Sequence, residues 1–220
     1  MQAIWMGDAR FAVSMANTLL MWAVTACDNG VVTDTSTLRH VLVVGGSLEQ
    51  WNAMSASDWS EYVATLQSSV EKVGAEWLTV YPYSGTSRTG EENELVQKIS
   101  ESCGATLVDG KLILGGGTSV VIDVCADGQQ RFVRAVNGLS TEMITEKNLA
   151  SAILHPASSE PDLVVVFGDP TQLPPSLVWE LAYSELVYLN TLWPHCNSED
   201  IELAINDFQR RDRRFGGVDS

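Results

Sequence analysis

Short apolar runs alternate with longer amphipathic stretches along most of the chain. The runs at Leu38–Val44 and Leu163–Phe167 are rich in Val and Leu and too short for helices, so they predict buried strands. Trp77–Tyr83 is β-branched and aromatic and predicts another strand. Shorter strands are predicted at 105–108, at 111–114 and at Ser119–Val124.

Amphipathic periodicity predicts helices between these strands. From Ser57, a capping residue, to about Val73, apolar side chains share one face, and Gly74 follows as a stop signal. Further helices are predicted at Glu94–Ser102, from Arg131 to Leu139, at Leu177–Leu189 and at Ser198–Phe208. This alternation predicts an α/β fold over residues 38–220, with a central, mostly parallel sheet flanked by helices.

Residues 1–37 are predicted to form an N-terminal apolar helix and a linker. No charged residue lies between Arg10 and Asp28. A helix over this run would span roughly 25 Å at about 1.5 Å per residue, just short of a bilayer core of about 30 Å. Three interpretations of residues 9–27 stay open: a helix packed on the domain, a membrane anchor or membrane-surface helix, and a signal segment. The last is disfavoured because the segment lacks a positively charged start.

Charge narrows the choice of partners. The chain carries 28 acidic and 13 basic residues, a formal net charge of −15, so it repels polyphosphate backbones and is not expected to bind nucleic acid. Against this background, Arg210, Arg211, Arg213 and Arg214 stand within five residues and precede a glycine pair. Such a cluster suits either a diphosphate or a solvated helix end, and physical chemistry alone does not choose between them.

The sequence contains no pattern of a resident metal or a nucleophile. His40, His155 and His195 are far apart and lack the spacing of metal-binding motifs, and no serine lies in a GxSxG turn. The Gly-rich stretches at 43–47 and 115–117 lack the lysine of a phosphate-binding loop, so both are interpreted as turns.

The last third of the chain carries a family resemblance. Its segments match in order and spacing over roughly sixty residues: Pro161-Asp162-Leu163, Trp179–Leu186, Leu192-Trp193-Pro194 and Phe208–Gly217. They resemble the cis-prenyltransferases, the undecaprenyl and dehydrodolichyl diphosphate synthases. Weaker similarity at 39–44 and 123–132 extends the resemblance to most of residues 38–217, and it implies the butterfly-type fold of that family.

The chain departs from the family where active members bind diphosphates. The resemblance places Gly46 where those members carry the aspartate that holds the magnesium diphosphate of the allylic substrate. Val166, Gln172 and Pro174 stand where they carry two arginines and a serine that grip isopentenyl diphosphate. Loss of one such contact typically costs about 3 kcal/mol of transition-state stabilisation, so we expect no catalytic residue in this chain's own pocket and no Mg²⁺ bound by it.

The family offers a role for such a chain. Its heteromeric members pair a catalytic subunit with an inactive homologue of the Nogo-B receptor type, as a heterodimer or heterotetramer. By this resemblance the C-terminal residues would contribute to the partner's diphosphate site, where Mg²⁺ is bound, and a second set would form the interface. The first set is Asp212, Arg213, Arg214, Phe215 and Gly216; the second is Trp179, Glu180, Tyr183, Glu185 and Trp193.

The function implied is that of a non-catalytic subunit in long-chain polyprenyl diphosphate synthesis, the route to dolichol and protein glycosylation. Isopentenyl diphosphate and an allylic prenyl diphosphate would be bound through the partner. The resemblance also implies the cytosolic face of the endoplasmic reticulum for a eukaryotic chain, and otherwise a cytoplasmic or membrane-associated place. Two alternatives stay open: a divergent, homodimeric stand-alone prenyltransferase, and a prenyl-binding scaffold without turnover.

Overall fold

The computed structural model describes residues 38–86, 89–182 and 184–215, and the side chains of these residues except 89–91, 194 and 212–215. The predictions for residues 1–37, including the helix at 9–27, lie outside the described residues. So do the predictions for Tyr183 and Gly216, and those that depend on the side chains of Asp212, Arg213, Arg214 and Phe215.

In the described part of the chain, seven strands form a single sheet. Their bounds are His40–Gly45 (β1), Trp77–Tyr81 (β2), Thr106–Val108 (β3), Lys111–Leu114 (β4), Ser119–Ile122 (β5), Leu163–Phe167 (β6) and Glu185–Leu189 (β7). The order across the sheet is β3-β4-β5-β2-β1-β6-β7; the last five of these run parallel, and β3 and β4 are antiparallel at one edge. The predicted α/β fold with a mostly parallel sheet is confirmed.

The same described ranges contain six α-helices: Leu48–Ala53 (α1), Ala56–Glu71 (α2), Thr89–Cys103 (α3), Gly128–Gly138 (α4), Glu146–Leu154 (α5) and Ser198–Phe215 (α6). The sequence predicted α2, α3, α4 and α6 with shifted bounds and missed the short α1 and α5. Within these ranges, none of the helices combines the length and apolar character needed to cross a membrane.

The N-terminal cap of helix α2 lies two residues earlier than predicted. Ser55, not Ser57, is the cap: its hydroxyl accepts a hydrogen bond from the Asp58 amide at 3.2 Å, and the Asp58 carboxylate accepts one from the Ser55 amide at 2.9 Å. This reciprocal pair satisfies two amides that the first helical turn leaves free. At the other end Gly74 adopts a φ of +77°, as its predicted role as a stop signal requires.

The prediction of a helix at Leu177–Leu189 is wrong. The segment forms a 3₁₀ turn at Glu180–Ala182 and then the edge strand β7, whose residues pair in register with β6. The spacing of its apolar residues fits a helical face, but Leu186, Val187 and Tyr188 also favour an extended chain. Pairing with β6 decides between the two, and sequence periodicity does not report such long-range pairing.

The two faces of the sheet are covered differently. On one face, α2, α3 and α6 pack a continuous apolar core around Val41, Val43 and Val165. On the other, Leu42, Val44, Tyr81, Val164 and Val166 form a smaller cluster under Leu177, while α4 and α5 form a separate small core of their own. The face held by α2, α3 and α6 therefore supplies most of the apolar burial.

Candidate functional site

The topology identifies one place where a ligand site is expected. From β1 the chain passes to β2 on one side, and β6 pairs with β1 on the other side, so the strand order reverses between β1 and β6. In open α/β sheets, ligands bind at the carboxyl ends of strands at such a reversal. The residues there are Gly45-Gly46-Ser47 after β1 and Phe167-Gly168-Asp169 after β6, and we call this place the switch-point crevice.

A tryptophan fills the crevice above β1. Gly46 adopts a φ of +68°, and a Cβ atom there would lie 2.5 Å from Cδ1 and 2.6 Å from Nε1 of Trp193. A Cβ atom on Gly45 would also collide with the ring of Trp193. Trp193 itself is only 3% exposed. The position where the family resemblance expects an aspartate is therefore covered by an indole.

Trp193 belongs to an aromatic cluster. Its ring stacks on Trp51 at 5.7 Å between centroids and 17° between planes, lies 4.4 Å from Tyr62, and meets Phe167 edge-on at 6.2 Å. The indole N–H of Trp51 donates to the Gly45 carbonyl at 2.8 Å, and that of Trp59 donates to the Trp51 carbonyl at 3.3 Å. The buried Nε1 of Trp193 has no acceptor among the described residues.

The β6 side of the crevice is also covered by a ring. A Cβ atom on Gly168 would lie 2.6 Å from Cε2 of Tyr83, whose hydroxyl donates to the Gln172 carbonyl at 3.2 Å. Burial, together with Tyr188 and Asp169, raises the pKa of Tyr83. Asp169 accepts hydrogen bonds from the hydroxyl and amide of Thr171, which lower its pKa. The loop after β6 thus folds back on itself and directs a carboxylate, not a cation, to this edge.

The amino end of α4 offers no free amides. Gly128 donates to the Pro175 carbonyl at 2.9 Å, and its Cα packs so closely that a Cβ atom would lie 2.7 Å from the Ser176 carbonyl oxygen. The Asp127 carboxylate accepts from the amides of Gln129 and Gln130 at 2.8 and 3.3 Å. The donors that could otherwise hold an anion at this helix end are already used.

Arg131 is a buried structural cation. Its Nε donates to Asp123 at 3.0 Å, its NH1 donates to the Ser176 carbonyl at 2.8 Å, and its guanidinium lies 3.6 Å over the ring of Tyr81. Glu180 Oε1 lies 3.6 Å from NH1. Burial alone would lower the pKa of Arg131, but Tyr81, Asp123 and Glu180 together raise it above its ordinary value. This cluster fixes the segment after β6 on α4.

The predicted interface residues fall into two groups. Glu180 is 2% exposed and Trp193 is 3% exposed, so both side chains are packed within their own chain. Trp179 is half-buried, stacks on Phe132 at 6.4 Å and donates to Glu160 at 3.3 Å. Glu185, at the start of β7, is partly exposed. Trp179 and Glu185 are therefore the two of these four that present side-chain surface.

Two of the clustered arginines are engaged near the end of α6. Arg210 Nε donates to the Asn206 carbonyl at 3.1 Å within the helix. Arg211 bonds the Asp207 carboxylate at 2.6 Å and donates to the Leu186 carbonyl on β7 at 3.2 Å. Both guanidinium groups are therefore bonded within α6 or to β7.

The residues around the crevice do not fit the magnesium ion that the family resemblance implies for active members. Among the residues that the structure describes, no group of three or more His, Cys, Asp or Glu side chains is arranged to hold a metal ion. Gly46 provides no oxygen ligand on a side chain, and Trp193 fills the space that a side chain would need. Open clefts, of about 540 and 400 Å³, lie along α5 instead.

Sequence reasoning identified Gly46 but missed the part played by Trp193. The glycine pair was interpreted as a turn, and Trp193 as an interface residue. A usable signal was present, since two successive glycines after a buried strand indicate that another group approaches the backbone closely. Which group approaches depends on the tertiary fold.

The strand order reverses between β1 and β6, which is the arrangement at which α/β proteins with an open sheet commonly bind ligands. The chain belongs to the cis-prenyltransferase family: residues 89–216, more than half of it, match the family model described as "Putative undecaprenyl diphosphate synthase".

Curated relatives carry names from the same family. The isoprenyl transferase of Neisseria gonorrhoeae is 30% identical over 135 residues, which are 59% of this chain and 51% of that protein. The ditrans,polycis-undecaprenyl-diphosphate synthase ((2E,6E)-farnesyl-diphosphate specific) of Buchnera aphidicola is 40% identical over 80 residues, 36% of this chain and 32% of that protein. The chain spans about half the length, or less, of the curated relatives it matches.

A solved structure shares the fold. The crystal structure of lavandulyl diphosphate synthase from Lavandula x intermedia, in complex with dimethylallyl diphosphate, matches with a TM-score of 0.56 and 14% identity. The match covers 80% of this chain and 97% of that one. This likeness supports the fold; at this identity it says nothing of substrate.

Proposed function

We propose that this chain is a non-catalytic subunit of a heteromeric cis-prenyltransferase that makes long-chain polyprenyl diphosphate. The observation that carries the proposal is Gly46 directly after β1, because a glycine stands where the resemblance places the metal-binding aspartate and it supplies no side-chain oxygen. Ionisation of an allylic diphosphate needs a stabilised leaving group, but the Asp169 carboxylate in the crevice is engaged by Thr171, and the described crevice residues include no cation.

In this proposal the catalytic partner binds Mg²⁺, isopentenyl diphosphate and the allylic substrate. The chain stabilises that partner and extends Arg213, Arg214 and Gly216 toward the partner's diphosphate site. The engagement of Arg210 and Arg211 within their own chain supports this division, because it leaves the later arginines as the candidates. Trp179 and Glu185 would contribute to the interface. Dolichol synthesis and membrane attachment through residues 9–27 belong to the same proposal.

The test uses the cis-prenyltransferase that co-purifies with the chain from its native source. The chain alone should form no product from farnesyl diphosphate, isopentenyl diphosphate and Mg²⁺, whereas the reconstituted complex should elongate at least ten times faster than the partner alone. Arg214→Ala should leave the complex intact on gel filtration but lower its turnover. Arg210→Ala is the matched control and should change neither.

The absence of a complex, or full turnover with Arg214→Ala, would contradict the proposal. Intact turnover in an intact complex would favour a scaffold instead.

A divergent stand-alone enzyme is the second candidate. The names of the curated relatives, which describe transferases, favour it. Steady incorporation of isopentenyl diphosphate by the purified chain alone would establish it and exclude the first candidate.

A further inference from the structure

A cleft with a lysine in its wall lies along α5, and none of its lining residues belongs to the switch-point crevice. Its volume is about 400 Å³, which suits a small organic molecule. We call it the Lys111 cleft. Asp109 and Lys111 line it from the β3–β4 hairpin, Leu139 and Met143 from the segment between α4 and α5, and Ala152 and His155 from the end of α5.

The ammonium of Lys111 has no carboxylate partner among the described residues. Its Nζ donates to the carbonyls of Ile153 and His155, each at 2.6 Å, at the carboxyl end of α5. An ammonium has three N–H donors, and the third finds no acceptor in that part of the chain. Asp109 does not pair with it; the Asp109 carboxylate is 80% exposed and lies 3.9 Å from Nδ1 of His155.

The charge of Lys111 is balanced only in part. Burial lowers the pKa of Lys111; Asp123 and Glu180 oppose this effect, whereas Arg131 and Arg134 add to it. Two neutral carbonyls do not replace a counter-ion, and withdrawing a charge from water without one is costly. An anion that enters the cleft would reduce this cost.

Two other lysines show what is particular to Lys111. Lys72 pairs with Glu202 at 2.8 Å on the surface. Lys98 resembles Lys111, because its Nζ donates to two carbonyls at the end of α1, those of Asn52 at 2.7 Å and Met54 at 3.4 Å. Lys98, however, lines neither of the two clefts along α5. It is therefore a matched control for the ammonium in the cleft.

The wall beside the ammonium is apolar. Leu139, Met143 and Ala152 line it, and Met143 is 51% exposed although its side chain is large and apolar. A cation without a counter-ion next to such a wall fits a ligand with one negative charge and a short apolar chain. A diphosphate would bring more negative charge than a single ammonium balances.

We propose that the Lys111 cleft binds an organic carboxylate, with the carboxylate group on the Lys111 ammonium and the apolar chain along Leu139 and Met143. This inference goes beyond the proposed function and does not depend on it, because neither the switch-point crevice nor the C-terminal arginines take part.

Octanoate is the probe for the test. Titration calorimetry in physiological salt, which screens the net negative charge of the chain, should show one octanoate site on the parent chain. Lys111→Met should weaken binding about tenfold, because a hydrogen bond between charged groups is lost. Lys98→Met should bind octanoate as the parent does. Octylamine, which has the same chain length but a positive charge, should not bind.

Equal octanoate affinity of the parent chain and Lys111→Met would mean that the apolar chain merely adheres to the surface, and would overturn the proposal. An equal loss in Lys98→Met, or binding of octylamine as tight as that of octanoate, would overturn it as well.

The parent chain alone provides a second measurement if Lys111→Met does not fold. With ¹³C-methyl methionine, the signal of Met143 should shift saturably as octanoate is added, whereas that of Met54, which does not line the cleft, should stay in place. An unmoved Met143 signal, or equal shifts of the two, would contradict the proposal.

A short apolar peptide distinguishes two sources of the carboxylate. If the peptide with a free carboxyl terminus binds more tightly than octanoate and than its own amide, the cleft takes the chain terminus of a protein. If octanoate binds more tightly, the cleft takes a free organic acid. Failure of both carboxylates to bind would overturn the proposal.

Discussion

Different interactions stabilise the two ends of the parallel sheet. At the amino end, polar groups tie the strands together: Asp162 accepts from the amides of Arg39 and His40 at 2.8 and 3.0 Å, and Thr118 donates to the Ala75 carbonyl at 2.7 Å. At the carboxyl end of β1 and β6, aromatic rings lie against glycines. The end where α/β proteins usually bind ligands is here packed as part of the core.

This difference shows that hydrogen bonds and aromatic packing can stabilise opposite ends of the same sheet. The hydrogen bonds at the amino end join residues at the starts of the strands to one another, so they place no constraint on the chemistry at the other end. At the carboxyl end, by contrast, each ring can pack on the backbone only because the residue beneath it is a glycine without a side chain. Substitutions at the two ends should therefore have distinguishable consequences.

Arg131→Met should lower the free energy of unfolding by about 3 to 5 kcal/mol, because Asp123 and Glu180 would stay buried without their cation. Urea unfolding followed by circular dichroism measures this loss. Arg134→Met on the same helix is the control, and since Arg134 is exposed it should cost about 0.5 kcal/mol. Similar losses for the two variants would mean that the buried cluster does not hold α4 in place.

His40 should make stability depend on pH. Its Nδ1 lies 2.7 Å from the Ser159 carbonyl, to which it donates, and its Nε2 lies 2.8 Å from the Thr79 hydroxyl, so a neutral ring with its proton on Nδ1 satisfies both partners. Burial lowers the pKa of His40 from 6.5 to about 4. Between these values the unfolded chain binds the proton more readily, so stability falls as the pH decreases from 6.5 to 4, by at most about 3 kcal/mol.

Unfolding free energies of the parent chain and of His40→Gln, measured across this pH range, check that expectation. The difference between the two should shrink toward pH 4. A difference that is constant with pH would show that protonation of His40 is not coupled to folding.

Gly46→Ala and Gly74→Ala separate ring packing from backbone strain. Both glycines have positive φ, +68° and +77°, but only Gly46 faces a ring. Gly74→Ala should cost about 1 kcal/mol through strain alone, and Gly46→Ala about 2 kcal/mol more through overpacking. Equal unfolding free energies for the two variants would remove the steric account of Gly46.

Thr118→Val tests one polar tie at the amino end. It removes the donor to the Ala75 carbonyl and keeps the shape of the side chain, so a loss of about 1 kcal/mol is expected. The aromatic cluster lies at the other end of the sheet, so Gly46→Ala should cost the same unfolding free energy in the parent chain and in Thr118→Val. A cost that differs between the two backgrounds would show that the two ends are coupled.

The sequence predicted what depends on local pattern. The apolar runs that form β1 and β6 and the amphipathic helix α2 were recognisable because burial and periodicity leave a direct trace. The strand β7 was mistaken for a helix, because its apolar spacing fits both and only pairing with β6 distinguishes them. Family resemblance indicated that Gly46 is unusual, but the contact of Trp193 with it joins distant parts of the chain and has no local signature.

The bond from Arg211 to the Leu186 carbonyl affects how other molecules can meet β7. This strand is the last in the sheet, and exposed strand edges invite aggregation by pairing with strands of other chains. The guanidinium occupies a carbonyl that an incoming strand would need, and its charge disfavours an apolar neighbour. A molecule that approaches along this border must dock through side chains or first displace the arginine, so the sheet is discouraged from continuing into a second chain.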